Sequence, residues 1–176
     1  MNLPNKLTVM RIILVPFMVA SMLIEFPFHY LVAGLIFGAA SLTDYFDGKI
    51  ARERNLITNF GKFADPIADK ILVVSALVCF LAKGLCDPII ILIVLFREFV
   101  VTSIRLSAAS NGTVVAANMW GKVKTVTQMI AIIAVFVFQV ALEVNAVFPY
   151  IPQLAMQMME NIFFVAGEVL MWISVV

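Results

Sequence analysis

Four aspartates crowd into residues 43–70, TDYFDGKIARERNLITNFGKFADPIADK: Asp44, Asp47, Asp65 and Asp69. The first two are spaced i, i+3 and the last two i, i+4, and on a helix either spacing puts both carboxylates on one face, about one turn apart. Each pair sits where a loop meets an apolar run. Two helix ends presenting such pairs to a common space would form a four-carboxylate cup, which repels itself unless cations fill it. Ligands that are all oxygen select hard divalent ions, Mg²⁺ or Mn²⁺, over zinc or copper. The chemistry implied is a two-cation site that handles phosphate. The bland rival is structural pairing of the acids with Lys62, Lys70 or Arg52 across helices.

A second constellation is basic. Arg97, Glu98 and Arg105 interrupt the apolar run 88–107, and the next run opens with Gly121-Lys122-Val123-Lys124-Thr125, with Gln128 one turn on. Arg97 and Arg105 are eight apart and fall near one face of a helix. Arginines are costly inside a span and usually mark a functional pocket. Arg97, Arg105, Lys122 and Lys124 converging near the cup would suit a substrate that itself carries phosphate. Lys122 and Lys124 also read as surface anchors, and Glu98 as a neutraliser of its neighbours.

The elements that must position these groups are membrane helices. Hydrophobic residues make up 63% of the chain and charged residues 13%, with mean hydropathy +1.06, far from the roughly 45–50% and 25% of soluble domains. The 176 residues leave room for one membrane domain, 1–176. The fold class expected is all-α integral membrane: a short interfacial helix over 1–10, then six spans over about 8–24, 30–42, 60–82, 88–107, 119–142 and 155–176, each near the ~20 residues a crossing needs. The first run reads as a retained span, not a cleaved signal. Arg11 is expected to snorkel to the nearer surface, and 48–59 to be a polar loop. Asp87-Pro88 reads as an N-cap with proline at N1. His29 reads as interfacial, and Cys79 and Cys86 as buried thiols without a disulfide.

Lys and Arg fall mainly at the N-terminus, between runs two and three, and between runs four and five. The positive-inside rule then puts both termini and the aspartates on the cytoplasmic side.

The pattern Asp44-x-x-Asp47-Gly48-x-x-Ala51-Arg52, then eight residues, Gly61, and Asp65 and Asp69 at intervals of four, resembles the signature of the CDP-alcohol phosphotransferase family without gap or substitution. A lone D-x-x-D would be weak; fixed spacings over eight positions are specific. The resemblance implies transfer of a phosphatidyl group from a CDP-linked lipid to an alcohol, with release of CMP. It assigns metal to Asp44, Asp47, Asp65 and Asp69, and the role of general base to Asp69. It also seats the CDP-diacylglycerol at Asn5, Thr8, Gly48, Ala51, Arg52, Thr58 and Gly61. Glycine and alanine let a nucleotide lie against helix backbone, and arginine offers phosphate a planar fork. The Arg-Glu and Gly-Lys-x-Lys-Thr segments resemble members that use sn-glycerol 3-phosphate, which makes Arg97, Arg105, Lys122 and Lys124 its expected contacts. An inositol phosphate or serine acceptor is the alternative within the family, and a cation transporter the alternative outside it. Transporters more often carry broken helices with a midplane site. The partners implied are CDP-diacylglycerol, glycerol 3-phosphate, the bilayer of the inner membrane and a second copy as homodimer, with no nucleic acid.

Overall fold

The computed structural model describes residues 3–53, 59–110, 119–149 and 152–175; within these helices, side chains of 3–5, 44–53, 59–66, 105–106, 109–110, 119–122, 153–156, 160, 168 and 172–175 lie outside the described set. Six helices follow in order: α1 Leu3–Leu23, α2 His29–Glu53, α3 Asn59–Ala82, α4 Pro88–Ser110, α5 Met119–Val147 and α6 Gln153–Val175. There is no strand among the described residues.

Where the helices differ from the sequence expectation, the reason is local. Residues 1–10 and the first span were expected as separate pieces, but one continuous helix runs through from Leu3. The polar segment 48–59 was expected as a loop, yet α2 continues to Glu53 and α3 begins at Asn59. Polar residues such as Lys, Arg and Glu are good helix formers once the helix emerges from its apolar stretch. α5 likewise extends five residues beyond the expected 142.

The chain divides into two compact units, 1–79 with 139–150, and 80–138 with 151–176. In the first, α1 packs against α2. Val15, Met18 and Met22 are buried on α1, and Ala33, Phe37 and Ala40 on α2. Alanines flanking Phe37 at helical spacing let two backbones approach around one large ring, the packing that apolar surroundings favour. Along α3, Ala68, Leu72 and Ala76 form a buried stripe at i, i+4 and i+8. A turn joins α1 to α2, with Phe28 at φ 61°.

His29 opens α2, and the structure gives it a partner that its expected interfacial position did not specify. Its Nδ1 lies 2.7 Å from Glu143 Oε1 near the end of α5, in the same unit, and 3.1 Å from the Phe26 carbonyl oxygen. Both neighbours are acceptors, so Nδ1 carries the proton and donates. The Tyr30 ring lies over the imidazole, centroids 4.2 Å apart.

In the second unit the end of α3 closes with a Schellman turn. Leu85 N donates to Phe80 O at 2.9 Å and Gly84 N to Leu81 O at 3.0 Å, with Gly84 at φ 71°, the left-handed position glycine fills without strain. Asp87 Oδ1 accepts from Ile89 N at 2.7 Å, the N-cap expected ahead of Pro88. The core gathers Ile90, Ile91 and Val94 of α4, Ala131, Ile132 and Phe136 of α5, and Met171 of α6. Phe80 meets Phe136 edge to face at 5.0 Å, and Phe138 stacks on Phe163 at 4.5 Å. Cys79 and Cys86 are buried and form no disulfide, as expected.

The outside is apolar too. Phe96, Leu92, Leu35 and Ile162 are all more than 60% exposed, while Thr8 and Arg11 are 0% exposed. That inverts the soluble pattern and suits a lipid environment. Among the described residues, two stretches are long and apolar enough to cross a membrane, Lys6–Leu23 and Val123–Val147, and His29–Thr43 is a shorter apolar helix.

Holding α5 to α2 through His29 and Glu143 has a measurable consequence. In a double-mutant cycle on the detergent-solubilised chain, His29→Gln and Glu143→Gln should couple by about 1 kcal/mol, read from denaturation midpoints. Strictly additive losses would show that the pair does not hold the helices.

Candidate functional site

The acid pairs sit on continuous helix. Asp44 and Asp47 lie within α2, and Asp65 and Asp69 within α3, so the one-turn spacings expected of them hold in the backbone. Because α2 continues to Glu53, Gly48 and Ala51 follow Asp44 at i+4 and i+7 on the same helix instead of entering a loop. A stripe of minimal side chains therefore continues in register from the first acid. Arg52 also lies on this last part of α2. The side chains of Asn5, Asp44, Asp47, Ala51, Arg52 and Asp65, and the surroundings of Gly48 and Gly61, lie outside the described residues, as does Thr58 altogether.

Asp69 is described. It is partly exposed and stands at i−3 and i−7 from Leu72 and Ala76, both buried. The carboxylate therefore belongs to the inward stripe of α3 and not to its outer face. The four acids offer oxygen alone, from two helices of the same unit. This donor chemistry fits a hard divalent cation and fits zinc or copper poorly.

At the start of α1, Thr8 and Arg11 are both fully buried. Three residues apart, they share one face of the helix. For Thr8 this agrees with a role inside the protein. For Arg11 it overturns the expectation of snorkelling: the guanidinium is kept inside, which in an apolar chain is costly.

The basic constellation is described in part, all of it in the second unit. Glu98 of α4 pairs with Lys124 of α5, and its Oε1 lies 3.5 Å from Arg97 Nη1. Two cations thus gather around one carboxylate across the two helices. Lys124 is buried, at 8% exposed, and Arg97 is intermediate. The neutralising role expected of Glu98 is the one it has, but it reaches to α5 as well as to its chain neighbour. The side chains of Arg105 and Lys122 lie outside the described residues. One turn beyond Lys124, Gln128 is buried at 4% exposed. Its Nε2 has no hydrogen-bond partner among the described residues.

A positioned Glu98 matters because a lysine ammonium on a four-carbon stem has many rotamers. Pinned to a carboxylate on the facing helix, it becomes a fixed charge. Such an arrangement can receive an anion without reorganising when the ligand arrives.

Comparison with known proteins agrees with this chemistry. A model of the CDP-alcohol phosphatidyltransferase family matches residues 1–176, the whole chain. Among curated proteins, the CDP-diacylglycerol–glycerol-3-phosphate 3-phosphatidyltransferase of Bacillus subtilis (strain 168) is 42% identical over 161 residues, covering 85% of this chain and 83% of the relative. The enzyme of the same name from Rickettsia bellii is 43% identical over 131 residues, 74% of this chain and 72% of its own. That of Salmonella typhimurium is 39% identical over 137 residues, 74% of each chain. With the family pattern unbroken from Asp44 to Asp69 and similarity running through the helices that carry it, the chain belongs to the CDP-alcohol phosphatidyltransferase family.

Proposed function

We propose that the protein transfers the phosphatidyl group of CDP-diacylglycerol to sn-glycerol 3-phosphate, giving phosphatidylglycerophosphate and CMP. The observation that carries the acceptor choice is the half-buried cluster in which Glu98 gathers Arg97 and the buried Lys124. A fixed cationic site on two apolar helices suits an acceptor that brings its own phosphate, and serine brings none. The relatives' shared name points the same way.

The reaction is an in-line displacement at phosphorus. The acceptor hydroxyl oxygen forms a bond to the phosphatidyl phosphorus, the P–O bond to the CMP phosphate breaks, and CMP leaves with that electron pair. The hydroxyl proton passes to the Asp69 carboxylate, which acts as general base. Asp44, Asp47, Asp65 and Asp69 would hold two divalent cations, Mg²⁺ or Mn²⁺, which would supply charge neutralisation for the diphosphate and for the departing nucleotide phosphate. The protein's own contribution is position. Gly48, Ala51 and Gly61 admit the nucleotide close to backbone, and Arg52 offers phosphate a fork. Asn5, Thr8 and Thr58 complete the donor's seat. Arg97, Arg105, Lys122 and Lys124 take the acceptor's phosphate.

In this reading all six helices cross the inner membrane, with both termini and the acids on the cytoplasmic side where lysine and arginine concentrate. The chain acts as a homodimer.

Purified chain in detergent with CDP-diacylglycerol and Mg²⁺ should release CMP with glycerol 3-phosphate, and EDTA should abolish this release. Turnover with serine or inositol phosphate but not glycerol 3-phosphate would overturn the acceptor assignment. Asp69→Asn should reduce kcat by about a hundredfold or more without shifting the unfolding midpoint; a fully active variant would remove Asp69 as base.

Glu98→Ala should raise KM for glycerol 3-phosphate and destabilise the chain by about 3 kcal/mol, since it takes the Glu98 carboxylate away from the buried Lys124 ammonium. An unchanged KM together with unchanged stability would show that Glu98 positions nothing.

A further inference from the structure

Gln128 is a described residue beside the α4–α5 cluster that the proposed reaction does not yet use. It stands at i+4 from Lys124 on α5, so the two side chains share a face and their Cα atoms are offset by roughly 6 Å along the axis. Its side chain is more than nine-tenths buried. The Nε2 amide nitrogen has no hydrogen-bond partner among the described residues. Around it α5 is apolar: Ala131 and Ile132, three and four residues on, are fully buried.

An amide donor left without an acceptor in such surroundings costs more than the bond would gain if made. A leucine of the same size would avoid that cost. What the amide has that leucine lacks is a paired donor and acceptor, uncharged, at fixed distance. That pair suits a hydroxyl, which both donates and accepts, and suits a phosphate less well than the charged groups one turn away. Glycerol 3-phosphate carries two hydroxyls. The terminal one is the nucleophile and must meet the donor phosphorus, which leaves the central one to be recognised by something else.

Resting on the glycerol 3-phosphate reading above, we propose that Gln128 is a specificity-determining residue that binds the central hydroxyl of the acceptor. Nε2 donates to the hydroxyl oxygen. Lys124, one turn nearer the helix start, holds the phosphate end, and the ~6 Å between the two positions is about the reach of a glycerol phosphate. The site selects acceptors by the hydroxyl as well as by the phosphate. A phosphorylated alcohol without the hydroxyl leaves the buried amide unpaired and is disfavoured for that reason.

The test pairs a residue change with a substrate change. Full-length wild type and Gln128→Leu are assayed in detergent with CDP-diacylglycerol and Mg²⁺. The acceptors are glycerol 3-phosphate and 3-hydroxypropyl phosphate, which keeps the phosphate and the terminal hydroxyl and lacks the central one. Wild type should prefer glycerol 3-phosphate by roughly ten- to a hundredfold in kcat/KM. Gln128→Leu should lose that factor on glycerol 3-phosphate while staying within about threefold of wild type on the analogue. KM for CDP-diacylglycerol should not move. The ligand-free unfolding midpoint should stay the same or rise, because the unpaired amide is gone. Equal losses on both acceptors, or discrimination retained by the variant, would overturn the proposal. Gln128→Met, measured in parallel, gives the same readout with a more adaptable side chain; failure of both variants to fold would make the amide structural and overturn it too. Wild type that turns over serine and neither phosphate acceptor would sink the underlying function reading, whereas a wild type active on glycerol 3-phosphate with no dependence on Gln128 would sink this inference alone.

Discussion

An ion in an apolar protein must be partnered, and that constraint organises everything distinctive in this chain. Moving a carboxylate or an ammonium out of water into a low-dielectric interior costs several kcal/mol even after relaxation. With 63% of residues hydrophobic and large apolar side chains facing outward along the helices, unpaired charge has few places to go. His29 is met by Glu143, and Lys124 and Arg97 by Glu98. Four aspartates between residues 44 and 69 call for cations on the same ground. In the proposed reaction, divalent metal ions would answer that demand and serve the chemistry with the same charge.

The helices are scaffolds for those pairings. On α2, His29 begins the helix and the first aspartate follows fifteen positions later, roughly 22 Å along it. One helix therefore carries an anchoring hydrogen-bonded pair at its start and half of the acid cluster toward its end. The anchor sets where α5 ends relative to α2 within their unit. In the other unit, the Schellman turn and the Asp87 cap stop α3 and restart the chain at Pro88, which fixes the register of α4 and hence of Arg97 and Glu98. Local turn chemistry here determines which charges face which helix.

Much of this could be read from residue order, for particular reasons. Helix positions were legible because apolar runs near the length of a crossing leave few alternatives. The D-x-x-D-G-x-x-A-R pattern and its distant acids were legible because several residue types at fixed spacings make a specific signature. Asp87-Pro88 was legible as a local hydrogen bond. What escaped depends on tertiary partners. The extension of α2 through Gly48, Ala51 and Arg52 was hidden because polar residues read equally as loop or as exposed helix. Arg11 looked like a residue that reaches for water, and only burial beside Thr8 shows otherwise. The pairing of His29 with Glu143 was hidden because the two are over a hundred residues apart. Gln128 carried no signal beyond its spacing from Lys124, since an amide becomes informative only when its surroundings offer it nothing.

The claim on which the account turns is that the aspartates of α2 and α3 jointly hold divalent metal. Titration of the purified chain with Mn²⁺, followed by the electron paramagnetic resonance signal of free Mn²⁺, tests it without any turnover. The account predicts two bound ions per chain, tightened by CDP-diacylglycerol and lost when Asp44 and Asp65 are both changed to asparagine. Wild-type chain that binds no Mn²⁺ with or without the nucleotide lipid, or a double variant that binds it as wild type does, would contradict it.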